Sequence, residues 1–366
     1  MRKAGPSLTL LRINNEPMAY AWGSSELLSD LLGIETPDHP IAEVWFGTHK
    51  NSPTVVSDSA NGSLLERVGE LPYLVKFLAA AQPLSIQAHP SLSRARVQFA
   101  NNHKSYSDAN HKPELLIAIT EFRALCGFRP LPEIEADLRL LAAASTPLAG
   151  LWGAFQAAGI EAAMRWIYDA PASAVLQLVA NCTVLGRKRA RLIEELFQLH
   201  PSDAGILVSV LMNLVALQPG EAIFLPAGNI HAYLEGMGVE VMAASDNVLR
   251  GGLTQKPVDV RELMQILDFD SLIEPRVTLK KLIQGLHRFG VDIPDFSVYR
   301  IEPSANNFLV DIELNGSAIV VCISGELIIS TSRDESLTLR KGQAGYMGDA
   351  RLFSVIGSGT GYLAMG

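Results

Sequence analysis

Hydrophobic residues in the first 130 positions come in short runs separated by turn-forming residues. The runs occupy residues 41–47, 74–80, 84–88 and 115–119. Runs of this length between turn signals are typical of β-strands joined by loops. After Leu217 the same pattern returns, with many glycines and β-branched residues, and continues to the C-terminus.

Between about residues 132 and 215 the pattern changes to alanine- and leucine-rich stretches with the apolar spacing of helices. These stretches are residues 133–144, 161–170 and 188–200. The clearest boundary lies near Pro130 to Pro132. The chain is therefore predicted to be mainly β with an α-helical insert.

Two short segments resemble each other and refine this prediction. Residues 217–225 and 339–347 both suggest a strand, a tight turn and a second strand. His231 and Tyr233 follow the first copy, whereas no histidine follows the second. Repeated strand-rich units favour jelly-roll or cupin-like barrels, whose mouths can bind a ligand. The glycine-rich segment 357–361 is interpreted as a turn, without the strand-to-helix context of a phosphate loop.

Composition narrows the class of protein. The 366 residues allow two or three domains, and 19% are charged while 48% are hydrophobic. No uninterrupted apolar run of about 18 residues predicts a membrane span, and the N-terminus lacks the apolar core of a signal peptide. A cytoplasmic, monomeric protein is expected. Cys126, Cys182 and Cys322 are too few and too widely spaced to predict disulfides or a cysteine-based zinc site.

Charge argues against nucleic acid as a partner, because the formal net charge is -8. The local basic cluster is interpreted as a solvated helix face; it consists of Arg187, Lys188, Arg189 and Arg191. An anionic substrate would need positive residues placed locally. The available ones are Lys76, Lys112, Arg250 and Lys256.

Four residues suggest a metal centre. Gln87 and His89 are two positions apart, so in a strand both side chains project from one face. Pro113 favours extended backbone at Lys112, which should place Lys112 and Glu114 on the same side. With His231, these residues offer an amide, two imidazoles and a carboxylate, a set suited to zinc or another first-row divalent ion. The alternative is that both histidines only pack and donate hydrogen bonds.

Several longer motifs follow one another between residues 20 and 256. They are YAWG at 20–23, LPYLVK at 71–76, QPLSIQAHP at 82–90, NHKPE at 110–114, HAYL at 231–234, SDNV at 245–248, and Glu240, Met242, Arg250, the 252–254 triplet and Lys256. In these motifs and in their order, the chain resembles the type I mannose-6-phosphate isomerase family. The last hundred residues show only the general strand-rich pattern of a barrel.

The resemblance implies two cupin-like jelly-roll barrels plus a helical domain. The catalytic barrel would comprise residues 1–130 and 216–260, the helical insert 131–215, and the C-terminal barrel 261–366. The family's metal ligands fall on Gln87, His89, Glu114 and His231, which would hold one divalent metal ion per chain, with zinc the expected ion.

The implied reaction interconverts mannose 6-phosphate and fructose 6-phosphate through a cis-enediol. It would serve mannose entry into glycolysis or the supply of mannose for glycan precursors such as GDP-mannose.

Catalytic roles are assigned by motif match and chemistry. Arg250 matches the family's active-site arginine and could stabilise an enediolate or clamp phosphate. Lys112, His111, Glu240 and Asp246 could each transfer the proton, and the extended geometry before Glu114 favours Lys112 over His111.

Substrate binding is predicted for five residues. Phosphate is assigned to Ser85, Lys76 and Lys256, and the pocket wall to Tyr233 and Trp22.

Two other classes of function stay open. An iron-dependent oxygenase would use two histidines and a carboxylate, but Gln87 and the nearby basic residues argue against it. A sugar-phosphate sensor would keep the ligands and lose turnover, yet the candidate catalytic residues Lys112, Glu240, Asp246 and Arg250 are all present.

Overall fold

A computed structural model describes residues 10–57, 62–348 and 350–366. Two antiparallel sheets dominate it, one of ten strands and one of nine within the described residues. Most helical residues lie between the strands of the second sheet. The predicted class, mainly β with helices, is confirmed.

The strands are numbered in chain order. They are β1 (Leu10–Asn14), β2 (Glu43–Phe46), β3 (Val55–Val56), β4 (Tyr73–Ala80), β5 (Ile86–Ala88), β6 (Glu114–Ala118), β7 (Phe122–Phe128), β8 (Met212–Leu217), β9 (Ala222–Leu225), β10 (His231–Ala243), β11 (Leu249–Gly252), β12 (Leu279–Ile283), β13 (Leu286–Phe289), β14 (Ser297–Ile301), β15 (Leu309–Glu313), β16 (Ala318–Thr331), β17 (Ser336–Arg340), β18 (Ala344–Met347) and β19 (Leu352–Met365).

The helices are numbered in the same way. They are α1 (Ser25–Leu32), α2 (Leu64–Val68), α3 (Leu92–Ala100), α4 (Leu131–Ala144), α5 (Ala149–Asp169), α6 (Ser173–Asn181), α7 (Arg187–Leu199), α8 (Gly205–Leu211) and α9 (Val260–Ile266). None of the helices in the described ranges has the length and apolarity that crossing a bilayer requires.

Strand β10 is the centre of the nine-stranded sheet. It pairs with β5 and β7 near its start and with β4 and β6 over its second half. Strand β11 pairs with β5, while β2 pairs with β4. One face of this sheet carries an apolar cluster that includes Leu78, Leu116, Phe122, Leu225 and Tyr233. This interior cluster forms the surroundings of the site described below.

The ten-stranded sheet joins the two ends of the chain. Strand β1 pairs with β18, with Leu10 opposite Met347, and β3 pairs with β1. The range predicted for the catalytic barrel includes residues 10–14 and 55–56, but these strands form their backbone hydrogen bonds within the ten-stranded sheet. Pairing across more than 300 residues leaves no local sequence signal, and this explains the difference.

Helices α4 to α8 lie between β7 and β8, where the helical spacing places them. Their apolar faces build one large core with Ile134, Leu138, Leu178 and Leu196. Arg189, however, is not on a solvated face. Its Nη1 donates to the carbonyls of Ser209 and Met212, at 2.8 and 3.1 Å. These bonds satisfy backbone carbonyls at the C-terminal end of α8, where helical hydrogen bonds run out.

The repeated unit has the predicted form in both copies. Strands β8 and β9 are joined by a tight turn at Gly220, and β17 and β18 by one at Gly342; these glycines have φ of 87° and 81°. Left-handed backbone of this kind favours glycine. The turn prediction for residues 357–361 is wrong, because they lie within β19 and pair with β16. Their glycines allow the two backbones to approach closely instead.

Candidate metal centre and active site

Strand register places three predicted site residues on one face of the sheet. His231 on β10 lies opposite Gln87 on β5, and Gln87 lies opposite Arg250 on β11. Directly opposed residues of antiparallel strands project to the same side. The strand register therefore places the Gln87 side chain between the imidazole of His231 and the guanidinium of Arg250.

Three potential ligands meet beside this row. One donor atom from each of His89, Glu114 and His231 lies within 4.8 Å of the others, and all three side chains are buried. Glu114 Oε2 is 3.2 Å from His89 Nε2 and 3.3 Å from His231 Nε2. In the described parts of the chain, none of these three atoms has a hydrogen-bond partner. Buried polar atoms without partners are costly, so the convergence of these three atoms fits a site for a cation.

Both histidines have the tautomer that binds metal through Nε2. His89 Nδ1 donates to the Asn247 carbonyl at 2.7 Å, and His231 Nδ1 donates to the Asn229 carbonyl at 3.0 Å. A carbonyl only accepts, so each Nδ1 carries the proton and each Nε2 presents a lone pair. Burial lowers the pKa of His89 and favours its neutral form.

Glu114 is held in its ionised form. Burial alone would raise its pKa, but the positive charge of Lys112 outweighs burial and holds the pKa well below the usual range. Lys112 Nζ lies 2.9 Å from Glu114 Oε1. The site therefore combines two imidazole nitrogens with one carboxylate, and this donor set fits zinc.

Pro113 separates the side chains of its neighbours as expected. Lys112 faces Glu114, whereas His111 Nε2 lies 2.9 Å from an oxygen of Asp295, just before β14. The His111 side chain therefore points towards the ten-stranded sheet rather than towards the donor cluster.

A second polar row crosses the same face further along β10. Trp45, Lys76 and Glu240 are paired across β2, β4 and β10. Lys76 Nζ lies 3.0 Å from Glu240 and 3.6 Å from Glu43, and 4.8 Å from the Trp45 ring centroid. Tyr233 donates its hydroxyl to Glu240 at 2.9 Å. Burial lowers the pKa of Lys76, but the two carboxylates outweigh burial and raise it, so this buried lysine stays charged.

Sequence reasoning missed three residues here: Glu43, Trp45 and His49. Trp45 Nε1 donates to Glu43 at 2.8 Å, and His49 Nε2 lies 3.1 Å from both oxygens of Asp246. The hydrogen bond with His49 lowers the pKa of Asp246. A charged residue two positions before a tryptophan in the apolar run 41–47 is the signal that could have identified Glu43.

The other predicted residues differ in their exposure to solvent. Trp22 packs against the interior cluster, and Ser85 lies half-buried just before β5. Lys256 is exposed, and its side chain has no polar partner among the residues that the structure describes. Within that same part of the chain, Arg250 is half-buried and pairs with no acid, so it does not hold Glu240 or Asp246 in place.

The three cysteines are free and buried. Cys126 lies opposite His231 across β7 and β10. Burial raises its pKa to about 12, so it stays a thiol and is a poor ligand.

Comparisons with known proteins identify the family to which this chain is similar. Residues 10–131 match the model of the phosphomannose isomerase type I catalytic domain. Mannose-6-phosphate isomerase of Salmonella typhimurium is 32% identical over 96% of this chain and 98% of its own length, and that of Escherichia coli is 32% identical over 92% and 94%.

Solved structures give the same result. A mutant phosphomannose isomerase from Salmonella typhimurium superposes with a TM-score of 0.90 at 31% identity, over 98% of this chain and 99% of that one. A mannose 6-phosphate isomerase bound with zinc and yttrium has a TM-score of 0.89 at 30% identity, with the same coverage.

Proposed function

Because the chain belongs to the type I phosphomannose isomerase family, we propose that it interconverts mannose 6-phosphate and fructose 6-phosphate with one bound divalent metal ion, expected to be zinc. The observation that carries the proposal is the convergence of three buried donor atoms, from His89, Glu114 and His231, that have no hydrogen-bond partner among the residues the structure describes. A similar protein of the same fold has been solved with zinc.

The proposed ligands are Gln87, His89, Glu114 and His231. Gln87 is half-buried and lies opposite His231 in the strand register, so its amide can complete the set. When bound, the ion would supply Lewis-acid stabilisation to oxygens of the open-chain sugar.

Lys112 is the proposed proton-transfer group. An aldose-ketose isomerisation removes the proton at C2 and returns a proton at C1 through a cis-enediol. Lys112 is mostly buried and lies next to the donor cluster, 2.9 Å from Glu114, so it can reach a sugar held there. Glu240 is less suited to this step, because Lys76 and Tyr233 already hold its carboxylate.

Arg250 would stabilise the negative charge of the enediolate or clamp the phosphate. Its lack of an acidic partner within the described residues leaves its charge available. Ser85, Lys76 and Lys256 remain proposed phosphate contacts, Tyr233 and Trp22 proposed wall residues, and Asp246 an alternative proton-transfer group.

For the architecture, we propose two cupin-like barrels plus the helical domain. Residues 131–215 would form the helical domain, and the nine-stranded and ten-stranded sheets would each build one barrel. Strand β1 would then be part of the C-terminal barrel rather than of the catalytic one.

Conversion of mannose 6-phosphate to fructose 6-phosphate by purified protein tests the proposal. We expect turnover that a chelator abolishes and that added zinc, manganese or cobalt restores. The ion that restores turnover best identifies the cofactor. Fully metallated protein without turnover would contradict the proposal and direct attention to the sensor or the oxygenase.

Alanine at Lys112 and alanine at His111 should have different effects. We expect Lys112→Ala to lower kcat about 100-fold or more, in the range typical of a lost acid-base group. His111→Ala should keep most of the turnover, since its imidazole pairs with Asp295. Steady-state kinetics of both metal-loaded variants check this, and near-normal turnover of Lys112→Ala beside an inactive His111→Ala would reverse the assignment.

A further inference from the structure

Two connecting segments next to the donor cluster are joined by hydrogen bonds. The 107–110 loop precedes β6, and the 245–247 turn follows β10. The Asp108 carboxylate accepts from Ser245 Oγ at 2.9 and 3.1 Å, from the Asp246 backbone N–H at 2.8 Å and from Asn247 Nδ2 at 3.1 Å. One side chain therefore holds all three residues of the turn.

The turn holds the loop in return through Asn247, which is fully buried. Its Oδ1 accepts from the backbone N–H of Ser107 at 2.8 Å. Its Nδ2 donates to the carbonyls of Asp108 and Asn110 at 2.9 and 2.8 Å. The Asn247 side chain cannot move without breaking these bonds, so the position of its own backbone is closely defined.

That backbone is the point of contact with the donor cluster. The Asn247 carbonyl accepts the Nδ1 proton of His89, and this bond selects the tautomer and the ring orientation. We propose that Asp108 is a positioning residue for the metal centre: it fixes the 245–247 turn and, through the Asn247 carbonyl, aims His89 Nε2 at the ion. This inference rests on the metal site in the proposed function.

The expected magnitude follows from the behaviour of groups that orient metal ligands. Their loss commonly weakens metal affinity or activity about 10- to 100-fold. An asparagine at position 108 would keep the size of the side chain and replace one acceptor oxygen by an N–H donor. That donor would face the N–H or O–H groups of the turn, so the turn should lose its defined position.

The test compares the zinc affinity of wild-type protein with that of Asp108→Asn, by competition with a chromophoric chelator. We expect binding about 10- to 100-fold weaker in the variant. A changed visible spectrum of the cobalt-loaded variant should accompany it, because cobalt reports ligand geometry. A zinc affinity equal to that of wild type would overturn the inference.

Asp203→Asn is the matched control. Asp203 also pins a turn, accepting from the backbone N–H groups of Gly205, Leu253 and Thr254 at 2.6, 2.8 and 3.2 Å, but it contacts none of the proposed ligands. We expect its zinc affinity to equal that of wild type. An equal loss in both variants would mean general loosening and would overturn the positioning role.

Ser245→Ala serves if Asp108→Asn does not fold. It removes the hydroxyl that donates to Asp108 at 2.9 Å and to the Asn110 carbonyl at 3.3 Å and that accepts from the Asn247 backbone N–H at 3.2 Å, so it loosens the same turn. A weaker zinc affinity in this variant supports the inference, and an unchanged one contradicts it. Wild-type protein that binds no zinc would instead refute the metal site itself, so the two failures are distinguishable.

Discussion

Glu114→Gln is expected to yield a protein that folds but neither retains zinc through dialysis nor turns over mannose 6-phosphate. Glu114 Oε2 lies 3.2 and 3.3 Å from the two imidazole Nε2 atoms and supplies the only negative charge of the donor set. An amide of the same shape removes that charge. The amide also leaves the buried Lys112 ammonium without the carboxylate at 2.9 Å. An unpaired buried charge lowers the free energy of unfolding.

The loss in turnover should be large, because a Lewis-acidic ion contributes several kcal/mol to the transition state. A loss of about 4 kcal/mol corresponds to on the order of a thousandfold in kcat/KM. Metal content after dialysis and kcat/KM with added zinc are the measurements. Glu121→Gln is the control, since Glu121 is exposed in the turn before β7 and should lose neither property. A Glu114→Gln protein with a full zinc complement and normal turnover would refute the ligand assignment.

Arg250→Ala is the second substitution with a large expected effect, and here the zinc should remain bound. Arg250 shares a face with Gln87 and His231 without being a candidate ligand, and no acid among the described residues neutralises it. Burial lowers its pKa, yet a guanidinium remains charged at neutral pH. Its positive charge can therefore act on the anionic substrate. We expect kcat to fall about 100- to 1000-fold, as when one preorganised donor to a developing oxyanion is removed.

Steady-state kinetics at saturating zinc would check this, together with added guanidinium chloride. A small cation that occupies the vacated space should restore part of the turnover of Arg250→Ala but not that of Glu114→Gln. Arg165→Ala is the control, because that arginine is exposed and forms an ion pair with Glu161. If Arg250→Ala lost its zinc or kept its kcat, the proposed role of this arginine would be wrong.

The regular elements follow closely from local patterns. The apolar runs at 74–80 and 115–119 correspond to β4 and β6, and the stretches at 133–144 and 188–200 to α4 and α7. Burial on one face of a sheet or along one stripe of a helix imposes its period on the sequence, so these predictions are confirmed. The glycines at 357–361 failed as a turn signal, because close approach of two strands requires glycine as much as a turn does.

The donor cluster could also be named from the chain alone, since two local rules act there. The period of a strand groups Gln87 with His89, and Pro113 sets Lys112 beside Glu114 and turns His111 away. Neither rule says that His231, more than a hundred residues later, completes the group. His231 entered the set as the second imidazole donor, the family resemblance agreed with that choice, and the register of β5 against β10 gives its physical basis.

Spacing and backbone preference thus identify the strands, the inserted helices and the candidate ligands, because each depends on neighbours within a few residues. Three features are decided only by the tertiary structure. Strand β1 pairs within the ten-stranded sheet, and Lys76 forms ion pairs with both Glu43 and Glu240. Asp108 accepts a hydrogen bond from the turn whose Asn247 carbonyl contacts His89. These contacts join residues about 30 to 340 positions apart. Their formation depends on strand register and on the need to pair every buried charge, and neither leaves a periodic trace in the sequence.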